Sequence, residues 1–235
     1  MNNPAVWAIV PAAGIGSRMQ ADRPKQYLEL EGRTVVEHTL QRLASHSRVK
    51  GIIVALAEND PWWSQVSVKS DTTIHIVVGG AQRADSVSNA LEALAKISND
   101  DPWVLVHDAA RPCLRHQDID HMLEQLSNHP VGGILGIPVT DTVKRANIEQ
   151  EITETVERQG LWRASTPQMF RLKTLKDALQ LAKQQKLTVT DEASAIELTG
   201  LKAMMVEGHS DNIKITVPQD LALAKLFLQQ QREQI

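Results

Sequence analysis

The sequence predicts an α/β fold: a doubly wound, mostly parallel Rossmann-like sheet with a protruding β-hairpin arm. Three observations predict it. Short apolar runs alternate with segments of helical periodicity along the first half of the chain, as in a parallel sheet wound with crossover helices. Several runs end in small or charged residues, at the strand ends where such sheets bind ligands. Residues 141–163 break the pattern with polar, β-prone sequence that has no helical stripe.

Val6 to Val10 is the first run, nearly all apolar, as a buried parallel strand requires. Pro11 ends it and opens a loop of Ala12, Ala13, Gly14 and Gly16. Small side chains let a ligand approach the backbone, and successive N–H groups can form an anion-binding concavity. Arg18 and Lys25 follow. Backbone donors plus fixed positive charge suit a polyphosphate. A tight turn with two solvated cations is the other reading, and the loop alone leaves both open. The dinucleotide fingerprint lacks its third glycine, because Met19 stands there, and the G-x-x-x-x-G-K-[ST] pattern is absent.

Thr34 to His46 carries Val35, Val36, Leu40, Leu43 and Ala44 at helical spacing, with Thr34 and Glu37 placed as a capping pair. Lys50–Leu56 is a second strand, and Trp62, Trp63 and Val66 fit a short helix after Asn59-Asp60-Pro61. Thr72–Val78 is a third strand, ending at Gly79-Gly80. Asp85 or Ser86 then precedes a helix bearing Val87, Ala90, Leu91 and Leu94. Trp103–Val106 is a fourth strand, followed by His107-Asp108-Ala109-Ala110-Arg111-Pro112. Ile119–Leu126 is helical, and Val131–Val139 is a strand whose glycines mark a crowded place.

Thr142–Arg145 and Ile152–Val156 form two exposed strands of a hairpin joined by residues 147–150. So polar a hairpin is marginal alone. Packing on a second subunit and an ordinary surface excursion are equally compatible with the pattern. Leu172–Gln185 is an amphipathic helix. Thr190-Asp191-Glu192 caps Ala193–Leu198, and Gly200 ends that helix. Ala203–Val206 is a strand, Ile213, Ile215 and Val217 alternate inward, and Pro218 opens the last helix. No repeat or Pro/Gly/Ser linker divides the 235 residues, so one domain is expected over 1–235.

A net charge of −3 argues against a nucleic-acid binder driven by overall charge. The single cysteine, Cys113, permits no intramolecular disulfide and no cysteine-based zinc site, which suits a reducing cytoplasm. No basic-plus-apolar leader and no apolar run of spanning length is read, so no membrane association is expected.

Asp108 can hold a divalent cation through water, orient a substrate hydroxyl, or simply pair with Arg111. His107 and Cys113 read as structural. Lys214 and Arg158 carry no signal of their own, because most such cations are solvated.

Residues Pro11–Met19 with Pro24-Lys25-Gln26-Tyr27 resemble the signature of nucleotidyltransferases. Further stretches narrow the resemblance: 79–80 with 83–87, 106–112, 138–144, 158–162, 166–168, 190–193 and 211–214. This ordered set, from about residue 6 to about 228, resembles the 2-C-methyl-D-erythritol 4-phosphate cytidylyltransferase family of the non-mevalonate isoprenoid pathway. The resemblance implies a transferase that joins CTP to methylerythritol phosphate, giving the CDP-alcohol and pyrophosphate, with magnesium held mainly by the CTP phosphates. It implies Arg18, Lys25 and Lys214 as the catalytic cations. Pro11, Ala12, Ala13, Gly14, Gly16, Gly80 and Ser86 would contact CTP. Asp108, Ala109, Arg111, Thr142 and Arg158 would form the acceptor site, with Asp108 as a further candidate for the metal. It also implies a cytoplasmic homodimer, in which residues 140–163 form an arm that carries Thr142 and Arg158 into the neighbour's site.

Two positions depart from some relatives. Ser17 stands where a second Arg occurs, and Ala81 where an Asp occurs. Cytosine selection is therefore assigned to backbone groups near Ala12 and Gly80, or to groups elsewhere. Competing readings are a cytidylyltransferase for another polyol phosphate, such as ribitol phosphate, and a non-catalytic nucleotide-binding regulator. Two cations kept together beside the small-residue loop argue against the regulator.

Overall fold

The computed structural model describes residues 5–14, 22–98 and 100–233. Gly16, Ser17, Arg18 and Met19 lie outside the described residues. A seven-stranded sheet runs in the order β11-β7-β10-β6-β1-β4-β5. Its strands are β1 (Val6–Pro11), β4 (Val49–Leu56), β5 (Thr73–Val78), β6 (Trp103–Val106), β7 (Gly132–Pro138), β10 (Trp162–Arg171) and β11 (Met204–Glu207). β1 pairs in parallel with β4 and β6, β4 with β5, and β7 with β11. β10 alone runs against its neighbours, β6 and β7.

Helices α1 (Val35–Ala44), α2 (Arg83–Ile97), α3 (His116–Leu126), α4 (Leu172–Gln184), α5 (Glu192–Leu198) and α6 (Gln219–Glu233) flank the sheet. The period-two rule places alternate strand residues in different cores. Ala8 and Val10 of β1 join Ile52 and Val54 under α1 and α3. Ile9 and Ile53 point the other way, into a layer with Val87, Leu91 and Leu94 of α2 and Leu175 of α4. A third cluster gathers Leu30, Val35, Cys113, Ile215, Ala224 and Leu228 around the start of α6.

The expected elements are present, with differences at their edges. Thr34 caps α1 in the expected box: its Oγ1 accepts from the Glu37 N–H at 3.3 Å, and Glu37 Oε2 accepts from the Thr34 N–H at 2.6 Å. α2 begins at Arg83, earlier than expected, because Asp85 sits inside its first turn and accepts from the Gln82 N–H at 3.1 Å. Ile215 is buried, but Val217 is 39% exposed, so the inward alternation stops short of α6. The crowding at β7 is real: Gly132 has φ +118°, and a Cβ there would lie 2.2 Å from the Met169 carbonyl oxygen.

β10 is the element the sequence reading missed. Its ladder with β7 skips between Ala164 and Gln168. That irregularity accommodates Pro167, which has no N–H to give a sheet. The short hairpin of β2 (Glu29–Leu30) and β3 (Arg33–Thr34) was also unread.

β8 (Val143–Ala146) and β9 (Ile152–Val156) form the expected hairpin as a two-stranded sheet of their own, with Val143 opposite Val156 and Arg145 opposite Glu154. Ile148 and Ile152 on it are 92% and 67% exposed.

Candidate active site

The strand order reverses direction around β1: β4 and β5 lie on one side and β6 on the other. Loops leaving β1 and β6 therefore diverge and open a crevice at their carboxyl ends. An open cleft of about 680 Å³, counting the solvent at its mouth, occupies that place. Pro11, Ala12, Ala13 and Gly14 form one wall, Gly80 and Ser86 a second, and Asp108, Ala109, Lys25 and Lys214 the rest. Ten of the residues predicted from sequence thus share one cavity.

Gln26 shapes the first wall. It is 4% exposed, and its amide donates to the Ala12 carbonyl at 2.7 Å and the Gly14 carbonyl at 3.0 Å. The Ala12 N–H donates to Ala55 O at 2.8 Å, which continues the sheet into the loop. Gly80 donates its N–H to Ser86 Oγ at 3.1 Å, and a Cβ on Gly80 would lie 2.2 Å from Asp85 Cβ. Three backbone groups expected to read cytosine, both those of Ala12 and the Gly80 N–H, are thus already bonded within the protein.

Asp108 follows β6 and meets three cations. Arg83 Nε lies 3.0 Å from its Oδ1, and Lys214 Nζ lies 2.8 Å from its Oδ2. Arg111 Nε stands 3.6 Å from Oδ2, too far for a hydrogen bond, while its other end donates to Asn212 O at 2.7 Å. Burial opposes the charge on Asp108, but Arg83, Lys214 and Arg111 outweigh it and hold the carboxyl well below the usual carboxylate range. Lys25 Nζ donates to Ile215 O at 2.9 Å, one residue from Lys214.

Beneath Asp108 lies a relay that fixes its backbone. The Asp108 N–H donates to Thr166 Oγ1 at 3.1 Å, and Thr166 Oγ1 lies 3.0 Å from His107 Nδ1. His107 Nε2 lies 3.0 Å from Arg111 O. A carbonyl can only accept, so this network assigns the proton to Nε2 and leaves Nδ1 to accept from Thr166. Burial pushes His107 down to about 4, so it stays neutral. Its bonds tie the Asp108 backbone to Thr166 and to the Arg111 carbonyl. Cys113 is buried in the third cluster.

A second recess of about 490 Å³ adjoins the cleft and shares Arg83, Asp108 and Lys214 with it. Arg111, Ala164, Ser165, Thr166, Gln168, Thr190 and Asp191 complete its lining. Thr142 and Arg158 line neither cavity. Arg158 is exposed and donates to the Thr140 carbonyl at the base of the hairpin.

Among the described residues no cluster of three or more His, Cys, Asp or Glu side chains is placed to hold a metal. Both oxygens of Asp108 are engaged by cations, and a direct metal ion would have to displace them.

A small-residue loop facing clustered cations at the switch point of a doubly wound sheet defines a phosphate-binding α/β protein. Residues 6–230 match the family described as IspD, 2-C-methyl-D-erythritol 4-phosphate cytidylyltransferase, and the chain belongs to it. The relative of that name from Vibrio vulnificus strain CMCP6 is 52% identical over 226 residues, 96% of this chain and 95% of its own. The one from Hahella chejuensis is 52% identical over 97% of this chain and 95% of its own. Among solved structures, the Francisella tularensis 2-C-methyl-D-erythritol 4-phosphate cytidylyltransferase superposes with a TM-score of 0.82 at 36% identity, covering 95% of this chain and 99% of that one. The chain is a nucleotidyltransferase. No helix among the described residues is long and apolar enough to cross a membrane.

Sequence reasoning did not select Arg83, Glu192, Gln26 or Thr166 as site residues. Arg83 and Gln26 lie inside the quoted motifs, but nothing local reveals what they bond.

Proposed function

We infer that this chain carries out the family's reaction: CTP and 2-C-methyl-D-erythritol 4-phosphate give 4-diphosphocytidyl-2-C-methyl-D-erythritol and pyrophosphate, for isoprenoid precursors. The observation that carries this is the single cleft holding Lys25, Lys214, the Ala12–Gly14 loop, Gly80, Ser86 and Asp108, in a chain that matches the family almost end to end. A phosphate oxygen of the acceptor attacks the α-phosphorus of CTP in line, that P–O bond forms, the bond to the β-phosphate oxygen breaks, and pyrophosphate leaves. Lys25, Lys214 and Arg18 supply positive charge where negative charge spreads over the phosphoryl oxygens.

CTP would lie along Pro11–Gly14, Gly16, Gly80 and Ser86. The acceptor would occupy the adjoining recess, on Asp108 and Arg111, with Ala109 at the edge of the cleft beside it. A magnesium ion would ride mainly on the CTP phosphates, with Asp108 as a further candidate through water, since no carboxylate cage is found among the described residues.

The chain forms a single domain, 1–235, and residues 140–163 act as a dimerisation arm that delivers Thr142 and Arg158 to the neighbour's acceptor recess. Supporting this, β8 and β9 pair only with each other among the described strands and expose Ile148 and Ile152. A cytoplasmic location accords with one cysteine, which is buried.

Pyrophosphate release, measured with each of the four NTPs against a series of polyol phosphates, tests the reading. CTP with methylerythritol phosphate is the expected best pair. A preference for ribitol 5-phosphate would assign the acceptor differently, and no release with any pair would leave a nucleotide-binding regulator.

A further inference from the structure

We propose that Arg83 is a positioning residue for the acceptor half of this reaction: pinned by buried Glu192, it holds Asp108 between cleft and recess and leaves Lys214 free to turn to the nucleotide. This rests on the reading above, in which Asp108 meets the acceptor and Lys214 the phosphates.

The geometry is that of one fork serving two carboxylates. Arg83 Nη1 and Nη2 donate to Glu192 Oε1 and Oε2 at 2.6 and 3.0 Å, and Nε donates to Asp108 Oδ1 at 3.0 Å. Only a planar guanidinium makes these bonds together, and a lysine would have to choose between the two acids. Glu192 is 1% exposed, so it cannot move toward water to escape its partner. It stands in the first turn of α5, which Asp191 caps through the Ser194 N–H at 2.9 Å. Gln168 on β10 braces the same turn by accepting from the Ala193 N–H at 2.9 Å. The anchor of Arg83 is therefore built into a helix and a sheet strand.

Lys214 is different. Its side chain is 37% exposed and its partner is the other oxygen of Asp108. A triphosphate entering the cleft competes for Lys214 with several negative charges. Release of Lys214 would leave Asp108 buried with Arg111 beyond hydrogen-bond reach, were Arg83 not there. Arg83 keeps the carboxylate compensated and aimed while the lysine changes partner. Without it, Asp108 would retain Lys214 and swing with it.

The test compares steady-state kinetics of Asp108→Asn, Glu192→Gln, Arg83→Lys and the double variant Arg83→Gln/Glu192→Gln. The double variant removes the Arg83 and Glu192 charges together, so Glu192 is not left as an unpaired buried acid. For the double variant, the acceptor KM should rise about tenfold or more and kcat fall about tenfold, with a smaller rise in the CTP KM because Lys214 stays on Asp108. Arg83→Lys should recover part of the loss, since it keeps charge but not the fork. A purely structural role would lower kcat through the active fraction and leave both KM values alone.

Acceptor KM within twofold of wild type in both Arg83 variants, with Asp108→Asn raising it, would overturn the proposal and leave the acceptor site standing. Full recovery in Arg83→Lys would overturn it too, because charge alone would then suffice. An unchanged acceptor KM in Asp108→Asn would overturn the acceptor assignment itself.

Discussion

Gln26→Leu removes the amide that ties down the loop after β1 while keeping a side chain of similar size. The two lost bonds are unequal. Ala12 is 3% exposed, so its carbonyl is stranded away from water, whereas Gly14 is exposed and water can replace its bond. One stranded acceptor and one exchanged bond together cost about 2–3 kcal/mol. In a domain of this size each kcal/mol moves Tm by about 2–4 °C, so a fall of roughly 4–12 °C is expected. The loop must then be ordered by the nucleotide, which transfers on the order of 1.4 kcal/mol to the binding step and raises the CTP KM about tenfold. The acceptor KM should stay near wild type. Thermal melts and pyrophosphate-release kinetics on the same preparations read both effects. A Tm within 2 °C of wild type, or an unchanged CTP KM, would refute the reasoning. Gln26→Glu should be worse, because it sets a carboxylate against two carbonyl oxygens.

Lys25→Ala should lower kcat about 10²- to 10³-fold, as expected for one preorganised electrostatic contact, with little change in Tm because its bond to Ile215 O is only half-buried. Activity within a few-fold of wild type would remove Lys25 from the chemistry. His107 stays neutral in the fold down to about 4, whereas unfolding restores its ordinary value near 6.5. Between these values the unfolded chain takes up a proton that the folded one refuses, so stability falls as pH drops through that window, by up to about 3 kcal/mol. Urea midpoints from pH 7.5 to 4.5 should show this loss in wild type and less of it in His107→Gln; equal slopes would contradict the assignment. Arg158→Ala mixed with Lys25→Ala should recover activity if the arm serves the neighbouring subunit's site, and a mixture no more active than either variant would argue against the crossed arm.

The sheet and most helices were legible because burial on both faces makes parallel strands read as uninterrupted apolar runs, with periodic helices between them. β10 was hidden by its own chemistry. Its Ser165, Thr166, Pro167 and Gln168 look like loop, yet the skipped ladder puts the proline where no donor is needed. The small residues of Pro11–Gly14 were legible as a loop open to a ligand, but they did not by themselves exclude a plain turn. The cleft's supports were not legible: Arg83 and Glu192 are 109 positions apart, and only the fold makes them partners. Lys214 illustrates the same limit, since nothing near it in sequence announces Asp108 as its counter-ion.

The place of β10 in the sheet also dictates how the chain can assemble as it is made. β1, β4, β5 and β6 are complete once Val106 has been synthesised, and they can zip together from the N-terminus. β7 comes next off the ribosome but has no docking place, because the sheet reaches it only through β10. Until Trp162–Arg171 arrives, β6 is a bare apolar edge and β7 an orphan, the kind of nascent edge that other chains can capture. The segment that lines the second recess is thus also the keystone that closes this interval of vulnerability.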